Sequence, residues 1–205
     1  MTRSVLALVL EAVFFALAFG WRSWVQWRRT GSTGFIRPRR GAPLMELVAA
    51  GLVTASFFLL PAGPAADLAG VERFAGLDNG AAAVAGAVLA VAGIVLTLAA
   101  QFAMGESWRI GVDTEARTDL VTDGIFGHVR NPIFSAMVVA AVGLVLLVPN
   151  VVSVVALVVL VVGLELQVRR VEEPYLRGVH DGAYVRYVRT AGRFVPGVGL
   201  DRASS

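Results

Sequence analysis

Residues 120–134 read L-V-T-D-G-I-F-G-H-V-R-N-P-I-F and combine a turn glycine, an imidazole, a guanidinium, an amide and a proline. A long apolar run follows Pro132, and proline is well tolerated in the first turn of a helix because its φ already suits that position. We therefore expect Arg130 and Asn131 at the wet mouth of a membrane helix, where free N–H groups and the helix dipole favour an anionic group. Two interpretations stay open at this point: the floor of a cofactor site, or a basic loop beside a membrane helix.

The chain is too apolar for an ordinary soluble domain. Of its 205 residues 57% are hydrophobic and its mean hydropathy is +0.72, against about 45–50% hydrophobic residues in soluble proteins. All 18 basic residues are arginine, but the net charge of +3 does not indicate a nucleic-acid-binding surface. The absence of cysteine excludes disulfides, thiolate catalysis and cysteine metal sites. Two histidines, His128 and His180, are too few for a histidine metal cluster, so we expect no metal.

Five apolar stretches approach the length of about 20 residues that a membrane-spanning helix requires. We therefore predict a single all-α integral membrane domain over residues 1–205, with five transmembrane helices. Only Pro149 and Asn150 separate the last two stretches, which predicts a tight helical hairpin. The predicted spans are residues 4–21, 44–60, 81–104, 133–148 and 151–168.

The distribution of arginine predicts the orientation, because short cytoplasmic loops carry an excess of basic residues. Residues 22–43 contain six arginines, whereas residues 61–80 contain only Arg73. Five spans then place the N-terminus outside and the C-terminus in the cytoplasm, in a multi-pass protein of the cytoplasmic membrane. The segments 105–132 and 169–198 therefore meet at the cytoplasmic face, where we expect them to form a cofactor site.

Three features lie within the predicted spans. Ala82, Gly86 and Ala90 recur at four-residue spacing, which allows close approach of a second helix. Glu11 lies mid-span, and a carboxylate there is a functional candidate, although one hydrogen bond to a neighbouring helix would satisfy it if protonated, and we favour that structural interpretation. Gln101 lies near the cytoplasmic end of the third span and is a candidate for lining a pocket.

Acidic and basic residues alternate after the fifth span. If this helix continues beyond the membrane surface, Glu165, Arg169 and Glu172 share one face. A surface ion pair at this spacing contributes little. The functional alternative is that Glu172, beside Glu173, points back beneath the bundle and pairs with Arg130 or with the ammonium group of a ligand.

The motifs of the C-terminal half resemble those of the isoprenylcysteine carboxyl methyltransferase family. The loop reads L-V-T-x-G-x-F-x-x-V-R-N-P-x-F, an apolar hairpin follows, residues 172–187 read E-E-x-x-L-x(7)-Y-x-x-Y, and residues 193–196 read R-F-V-P. M-G-E-S-W-R-I-G-V-D at 104–113 also resembles the segment that precedes this motif in many bacterial members. The similarity covers residues 101–196, whereas the first two spans match only as generic membrane helices.

This resemblance implies a small membrane methyltransferase that uses S-adenosylmethionine and accepts a small lipophilic or lipidated molecule from the bilayer. The expected acceptor group is a carboxylate or a thiol. Arg130 would hold an acceptor carboxylate through its planar fork, and Glu172 would hold the amino group of the cofactor or orient Arg130. The residues that would bind the cofactor, with Gln101 lining the pocket, are Thr122, Gly124, Phe126, Arg130, Asn131, Pro132, Phe134, Glu172, Glu173, Tyr184 and Tyr187.

Three positions depart from the family pattern. Asn131 replaces the usual histidine, so a titrating imidazole is absent there, although the amide can still form hydrogen bonds. Phe134 stands where tyrosine is common and lacks its hydroxyl. Asp181 replaces the usual glycine of the tail, with Gly182 beside it.

Three other classes of protein fit parts of the sequence. A membrane sterol-type reductase has a similar C-terminal half and would use NADPH. A phospholipid N-methyltransferase shares the cofactor but methylates a neutral amine, so a nearby general base would be expected. A tail helix rich in arginine could also lie on the membrane in a non-enzymatic scaffold or sensor, where the polar residues at the cytoplasmic face would have no catalytic purpose.

Overall fold

The structure is a computed structural model that describes residues 2–36, 41–111 and 119–201. Several arginines used for the predicted orientation, and the end of the 104–113 motif, lie outside these residues. Helices dominate the described part, which contains only two isolated β-bridges and no longer strand. The predicted all-α fold is therefore confirmed. The helices are α1 Thr2–Phe15, α2 Arg22–Thr30, α3 Leu44–Leu68, α4 Gly80–Ala103, α5 Pro132–Leu147, α6 Val151–Leu166 and α7 Glu173–Thr190.

Two π-helical turns join neighbouring helices into longer rods. Ala16–Trp21 connects α1 to α2, and Gln167–Glu172 connects α6 to α7. The resulting helices Thr2–Thr30 and Val151–Thr190, together with α3 and α4, are long and apolar enough to cross a membrane, whereas α5 has 16 residues and is shorter. Helix α6, the fifth predicted span, therefore continues into the tail, which is the condition on which the shared face of Glu165, Arg169 and Glu172 depended.

Helices α4 and α5 pack with their backbones in direct contact. A Cβ added to Gly86 would lie 2.7 Å from the Leu147 backbone nitrogen, and one added to Gly93 would collide with the backbone of Ala140. Small residues allow this approach, as the spacing in the third apolar stretch predicted. The contacts are antiparallel, and continuing their register eight residues beyond Gly93 places Gln101 opposite Pro132. The end of α4 and the start of α5 therefore lie at the same level.

A network of charged side chains ties the opposite end of the bundle together. Asp67, at the end of α3, accepts hydrogen bonds from Arg73 Nε at 2.6 Å and from the Ser4 hydroxyl. Asp78 accepts from Arg3 at 2.7 Å and from Arg73 at 3.1 Å. The hydrogen bond to Asp67 raises the pKa of Arg73 above its usual range. These contacts fix the N-terminus of α1 against the α3–α4 loop.

Helix α3 runs past residue 60, its predicted end. Its last turns cover the tip of the α5–α6 hairpin, which is formed by Pro149 and Asn150. It continues through Pro61 to Leu68 because the tip supplies partners for these turns. The buried Asn150 amide donates to the Gly63 carbonyl at 2.9 Å, and the Pro149 carbonyl accepts from the Phe74 N–H at 2.7 Å. The tip therefore lies beneath other parts of the chain.

Candidate functional site

The loop before α5 and the segment after α7 are joined by main-chain hydrogen bonds. The Arg130 N–H donates to the Gly192 carbonyl at 2.8 Å, and the Gly192 N–H donates to the His128 carbonyl at 3.0 Å. The Asn131 amide donates to the Arg193 carbonyl at 3.0 Å. Pro132 is the first residue of α5, as predicted. The V-R-N-P and R-F-V-P motifs therefore form one unit at a single end of the bundle.

The Arg130 guanidinium is buried and occupied by this unit. Its Nη1 donates to the carbonyls of Val188, at 3.3 Å, and Ala191, and its Nη2 donates to the Gly199 carbonyl at 3.1 Å. The same Nη2 donates to Glu173 Oε1 at 3.0 Å. Arg130 is 8% exposed, so the expectation of a wet helix mouth is wrong at this position. The guanidinium is buried because the tail folds over the loop.

Glu173 is the centre of a buried ion triad. Its carboxylate accepts from Arg130 on one side and from both Nε and Nη2 of Arg193 on the other, at 2.7 and 3.0 Å. The carboxylate raises the pKa of Arg193 above its usual range. The acidic partner of Arg130 is therefore Glu173 rather than Glu172, the partner that we expected. Arg193 was not among the predicted site residues, although it opens the R-F-V-P motif.

Glu172 has a different environment from its neighbour. It is half-buried, and the hydrogen bond described for its carboxyl is a 3.4 Å contact from the Gln167 amide. The register explains why Glu173 reaches Arg130. A π turn accommodates one extra residue, so Gln167–Glu172 shifts every later position by about one residue relative to an unbroken α-helix. The face that we assigned to Glu172 therefore belongs to Glu173.

Tyr184 and Tyr187 lie beneath the tail and against the loop. Both are buried, and the Tyr187 hydroxyl donates to the Phe126 carbonyl at 2.7 Å. Their rings meet edge to face with centroids 6.1 Å apart, and Leu120 packs against the same cluster. The structure therefore brings both predicted tyrosines to the predicted loop.

Gln101 belongs to a second polar cluster at the same end of the bundle. Its amide donates to the Ala18 carbonyl at 3.0 Å, while its carbonyl oxygen is buried without a partner. Arg22 lies beside it, donates to the Gly105 carbonyl at 2.7 Å and stacks 4.4 Å from the centre of the Trp108 ring. Arg22 thus caps α4, because a cation interacts favourably with the carbonyls at a helix C-terminus. From the sequence, we expected Arg22 only as a positive charge in a loop.

The remaining predicted residues lie at the edges of the site. Thr122 and Gly124 are exposed, and Gly124 adopts a φ of 56°, which favours glycine. Phe134 packs against the apolar core between the helices. No group of three or more potential metal ligands occurs among the described residues.

Asp181 has a strained backbone in the middle of α7. Its φ of 39° and ψ of −120° interrupt the helix and produce a kink. Residues other than glycine rarely adopt this conformation, which typically costs about 1–3 kcal/mol. Such strain tends to occur at functional sites, and it stands here where the family pattern has glycine.

The second half of the bundle is similar to a known protein family. The model of the family described as phospholipid methyltransferase matches residues 81–181, about half of the chain, from the start of α4 to the kink of α7. No curated protein matches the chain significantly. The matched region includes the α5–α6 hairpin, the loop before it, and Glu172 and Glu173.

Proposed function

This chain belongs to the phospholipid methyltransferase family, within the superfamily of membrane methyltransferases that resemble isoprenylcysteine carboxyl methyltransferase, and on that premise we propose that it transfers a methyl group from S-adenosylmethionine to a lipid at the cytoplasmic face. The family consists of methyltransferases, so the interpretation as a non-enzymatic scaffold is set aside. The observation that supports the location is the joined loop and tail, because main-chain hydrogen bonds connect the residues just before α5 to those just after α7.

Glu172 supports the proposed cofactor. Its half-buried carboxyl has one long hydrogen bond to Gln167, so it has the capacity to accept from an ammonium group. S-adenosylmethionine carries such a group and supplies an electrophilic methyl on a sulfonium. A π turn often marks a functional site, and Glu172 lies at the end of one. In this proposal Thr122, Gly124, Asn131 and the two tyrosines remain cofactor-binding candidates.

We assign Arg130 a positioning role. Its two Nη atoms donate to three carbonyl oxygens in and after α7 and to the Glu173 carboxylate. This arrangement fixes the tail over the loop and holds α7 at the start of α5. The contribution to catalysis is then to preserve the geometry that aligns donor and acceptor and excludes water. The earlier expectation, a clamp on an acceptor carboxylate, would require the guanidinium to exchange these partners.

Two acceptor classes are to be compared. A lipophilic carboxylate or thiol was expected from the resemblance, and it would enter sideways between helices. A phospholipid amine is the second candidate, and the description of the matching family favours it. The engagement of Arg130 also removes one argument for a carboxylate acceptor. Transfer to an ionised carboxylate or thiolate would need little acid–base help, whereas a phospholipid amine must first lose its proton and would need a general base.

The test is a transfer assay with purified protein in vesicles and S-adenosylmethionine labelled in its methyl group. One set of vesicles contains phosphatidylethanolamine and the other a prenylated cysteine analogue. We expect label in the lipid fraction, and calorimetric binding of S-adenosylhomocysteine that NADPH does not displace. Binding of NADPH instead of S-adenosylhomocysteine would favour a reductase and reject the proposal.

The assay has a matched control within the same helix. Glu172→Gln should weaken S-adenosylhomocysteine binding, whereas Glu165→Gln should leave it unchanged. Glu165 is partly exposed, and its carboxylate pairs with Arg169 one turn further along the helix. Equal losses in both variants would reject a specific role for Glu172.

A further inference from the structure

Glu11 is a buried carboxyl in the middle of the first helix. Glu11 is 4% exposed, and both of its carboxyl oxygens are buried without a hydrogen-bond partner. The expected hydrogen bond to a neighbouring helix is therefore absent in the described part of the chain. An orphaned buried polar group of this kind costs about 1–3 kcal/mol unless a partner satisfies it.

The polar contacts of the first helix place Glu11 at hydrocarbon depth. Ser4 contacts Asp67 at one end of the bundle, and Arg22 caps α4 at the other. Ser4 and Arg22 are about 27 Å apart along this helix, at a rise of 1.5 Å per residue. This distance approaches the hydrocarbon thickness of about 30 Å. Glu11 lies seven residues after Ser4, about 10 Å inside this layer.

Glu11 lines a cavity at the centre of the bundle. The cavity has a volume of about 20 Å³ and is otherwise walled by apolar side chains. Alanines on α4 and α5 leave the space open, and no basic residue lines it among the residues that the structure describes. The larger side chains in its wall include Phe14, Phe57, Leu60, Ile94, Met137 and Leu160.

The surroundings determine which ligand chemistry fits. An ionised carboxylate without a cation is very unfavourable at this depth, so Glu11 is a neutral acid. A neutral carboxyl offers one O–H donor and one carbonyl acceptor. A cavity of this size accommodates about one water-sized group. A single hydroxyl matches all three conditions, since it both accepts and donates one hydrogen bond.

We propose that Glu11 and this cavity form a binding site for one hydroxyl group, supplied by a lipophilic alcohol or by water. The apolar walls favour the alcohol, because a buried water needs two to four polar partners and Glu11 is the one polar side chain that the described residues contribute to the wall. The alkyl chain would extend between helices toward the bilayer. The site lies apart from the Arg130–Glu173 unit, so the proposal stands independently of methyl transfer.

Infrared difference spectroscopy tests the site directly. Wild type and Glu11→Gln are compared in phosphatidylcholine vesicles, with and without 1-decanol, and in normal and ¹⁸O-labelled water. Glu72→Gln, in an exposed loop, is the control. We expect the wild-type spectrum to contain a carboxylic-acid C=O component, at the position of a hydrogen-bonded acid, that Glu11→Gln lacks and Glu72→Gln keeps.

The outcomes separate the sources of the hydroxyl. A band that moves on addition of decanol identifies an alcohol, and a band that responds to labelled water without decanol identifies water. An unbonded acid band under every condition, or carboxylate bands alone, overturns the proposal. These measurements on wild type remain decisive if Glu11→Gln folds poorly, because decanol and labelled water are applied to the unaltered protein.

A stability measurement supplies an independent readout. Decanol should raise the melting temperature of wild type in detergent, and it should not raise that of Glu11→Leu, which removes the hydrogen-bonding groups and fills the cavity. The control Glu72→Gln should respond as wild type does. An equal rise in Glu11→Leu would show that decanol acts on the lipid-facing surface and would overturn the site.

Discussion

Arg130 Nη2 donates to Glu173 Oε1 at 3.0 Å, across 43 positions of the sequence and the whole α5–α6 hairpin. The side chains of both residues are at least nine-tenths buried. Removing one partner of such a pair commonly costs about 3–5 kcal/mol, because the other charge stays buried without compensation. This pair therefore determines how firmly the tail is held on the loop.

We first predict that Arg130→Ala destabilises the protein by about 3–5 kcal/mol and abolishes transfer. The wet helix mouth expected from the sequence would instead have left the fold intact in this variant. Arg130→Lys should restore only part of the stability. The lysine ammonium lacks the planar fork with which the guanidinium reaches the carboxylate and three carbonyls. Thermal unfolding in detergent measures the stability, and the exposed Arg186→Ala is the control. An unchanged melting temperature in Arg130→Ala would contradict the structure.

The second prediction compares the adjacent glutamates. Glu173→Gln should destabilise the protein by about 3–5 kcal/mol because Arg130 and Arg193 lose their counter-charge. Glu172→Gln should keep the wild-type stability and reduce S-adenosylhomocysteine affinity about tenfold, the effect of losing one charge-assisted hydrogen bond. Unfolding and calorimetry on the same samples separate the two effects. If Glu172→Gln loses stability and Glu173→Gln loses only S-adenosylhomocysteine affinity, Glu172 rather than Glu173 is the partner of Arg130.

A double-mutant cycle gives a further check on the ion pair. Arg130→Ala and Glu173→Gln together should lose less stability than the sum of the single changes, by about 0.5–3 kcal/mol. The same cycle with Glu172→Gln should be additive. Coupling to Glu172 and not to Glu173 would restore the pairing expected from the sequence.

The helices could be predicted from the sequence, because long apolar runs and proline positions report them directly. The partner of Arg130 could not. Extrapolating an α-helical face from Glu165 leads to Glu172, but the π turn adds a residue and brings Glu173 to the guanidinium. Apolar patterning does not signal a π turn. The bridge between Val129 and Gly192 was equally hidden, since it depends on how the tail returns to the loop.

The third prediction concerns the α4–α5 contact. Gly143→Ala should destabilise the protein by about 1–3 kcal/mol, because the added Cβ collides with the backbone of Ala90. Gly51→Ala in α3 is the matched control, since its Cβ would meet nothing within 4 Å. Alanine is the better helix former, so the control should be neutral or slightly stabilising. Equal melting temperatures for the two variants would contradict the close packing.

The fourth prediction concerns the kink in α7. Asp181→Gly should raise stability by about 1 kcal/mol, because glycine adopts a positive φ without strain. Gly182→Ala, at the next position, has no such strain to relieve and should show little change. Thermal unfolding is again the measurement. A clear loss of stability in Asp181→Gly would show that the aspartate side chain, rather than the backbone, determines the kink.

The fifth prediction tests the proposed orientation. The chain has no cysteine, so single cysteines can be labelled without background. Gly76 lies in the α3–α4 loop and Arg189 lies in α7, at the opposite end of the bundle. Both positions are exposed, so we choose Gly76→Cys and Arg189→Cys. An impermeant thiol reagent applied to intact cells should label the first and spare the second. The reverse pattern would invert the topology and move the polar site to the outer face.

The buried tip of the α5–α6 hairpin has a consequence for biogenesis. Its Asn150 amide and Pro149 carbonyl bind Gly63 and Phe74, which the ribosome delivers earlier. Helix α5 is about 24 Å long, roughly 12 Å shorter than α4. Irregular backbone at membrane depth is tolerated where protein surrounds it. The partners that the hairpin tip needs are therefore synthesised before the hairpin itself, so they are present when it emerges.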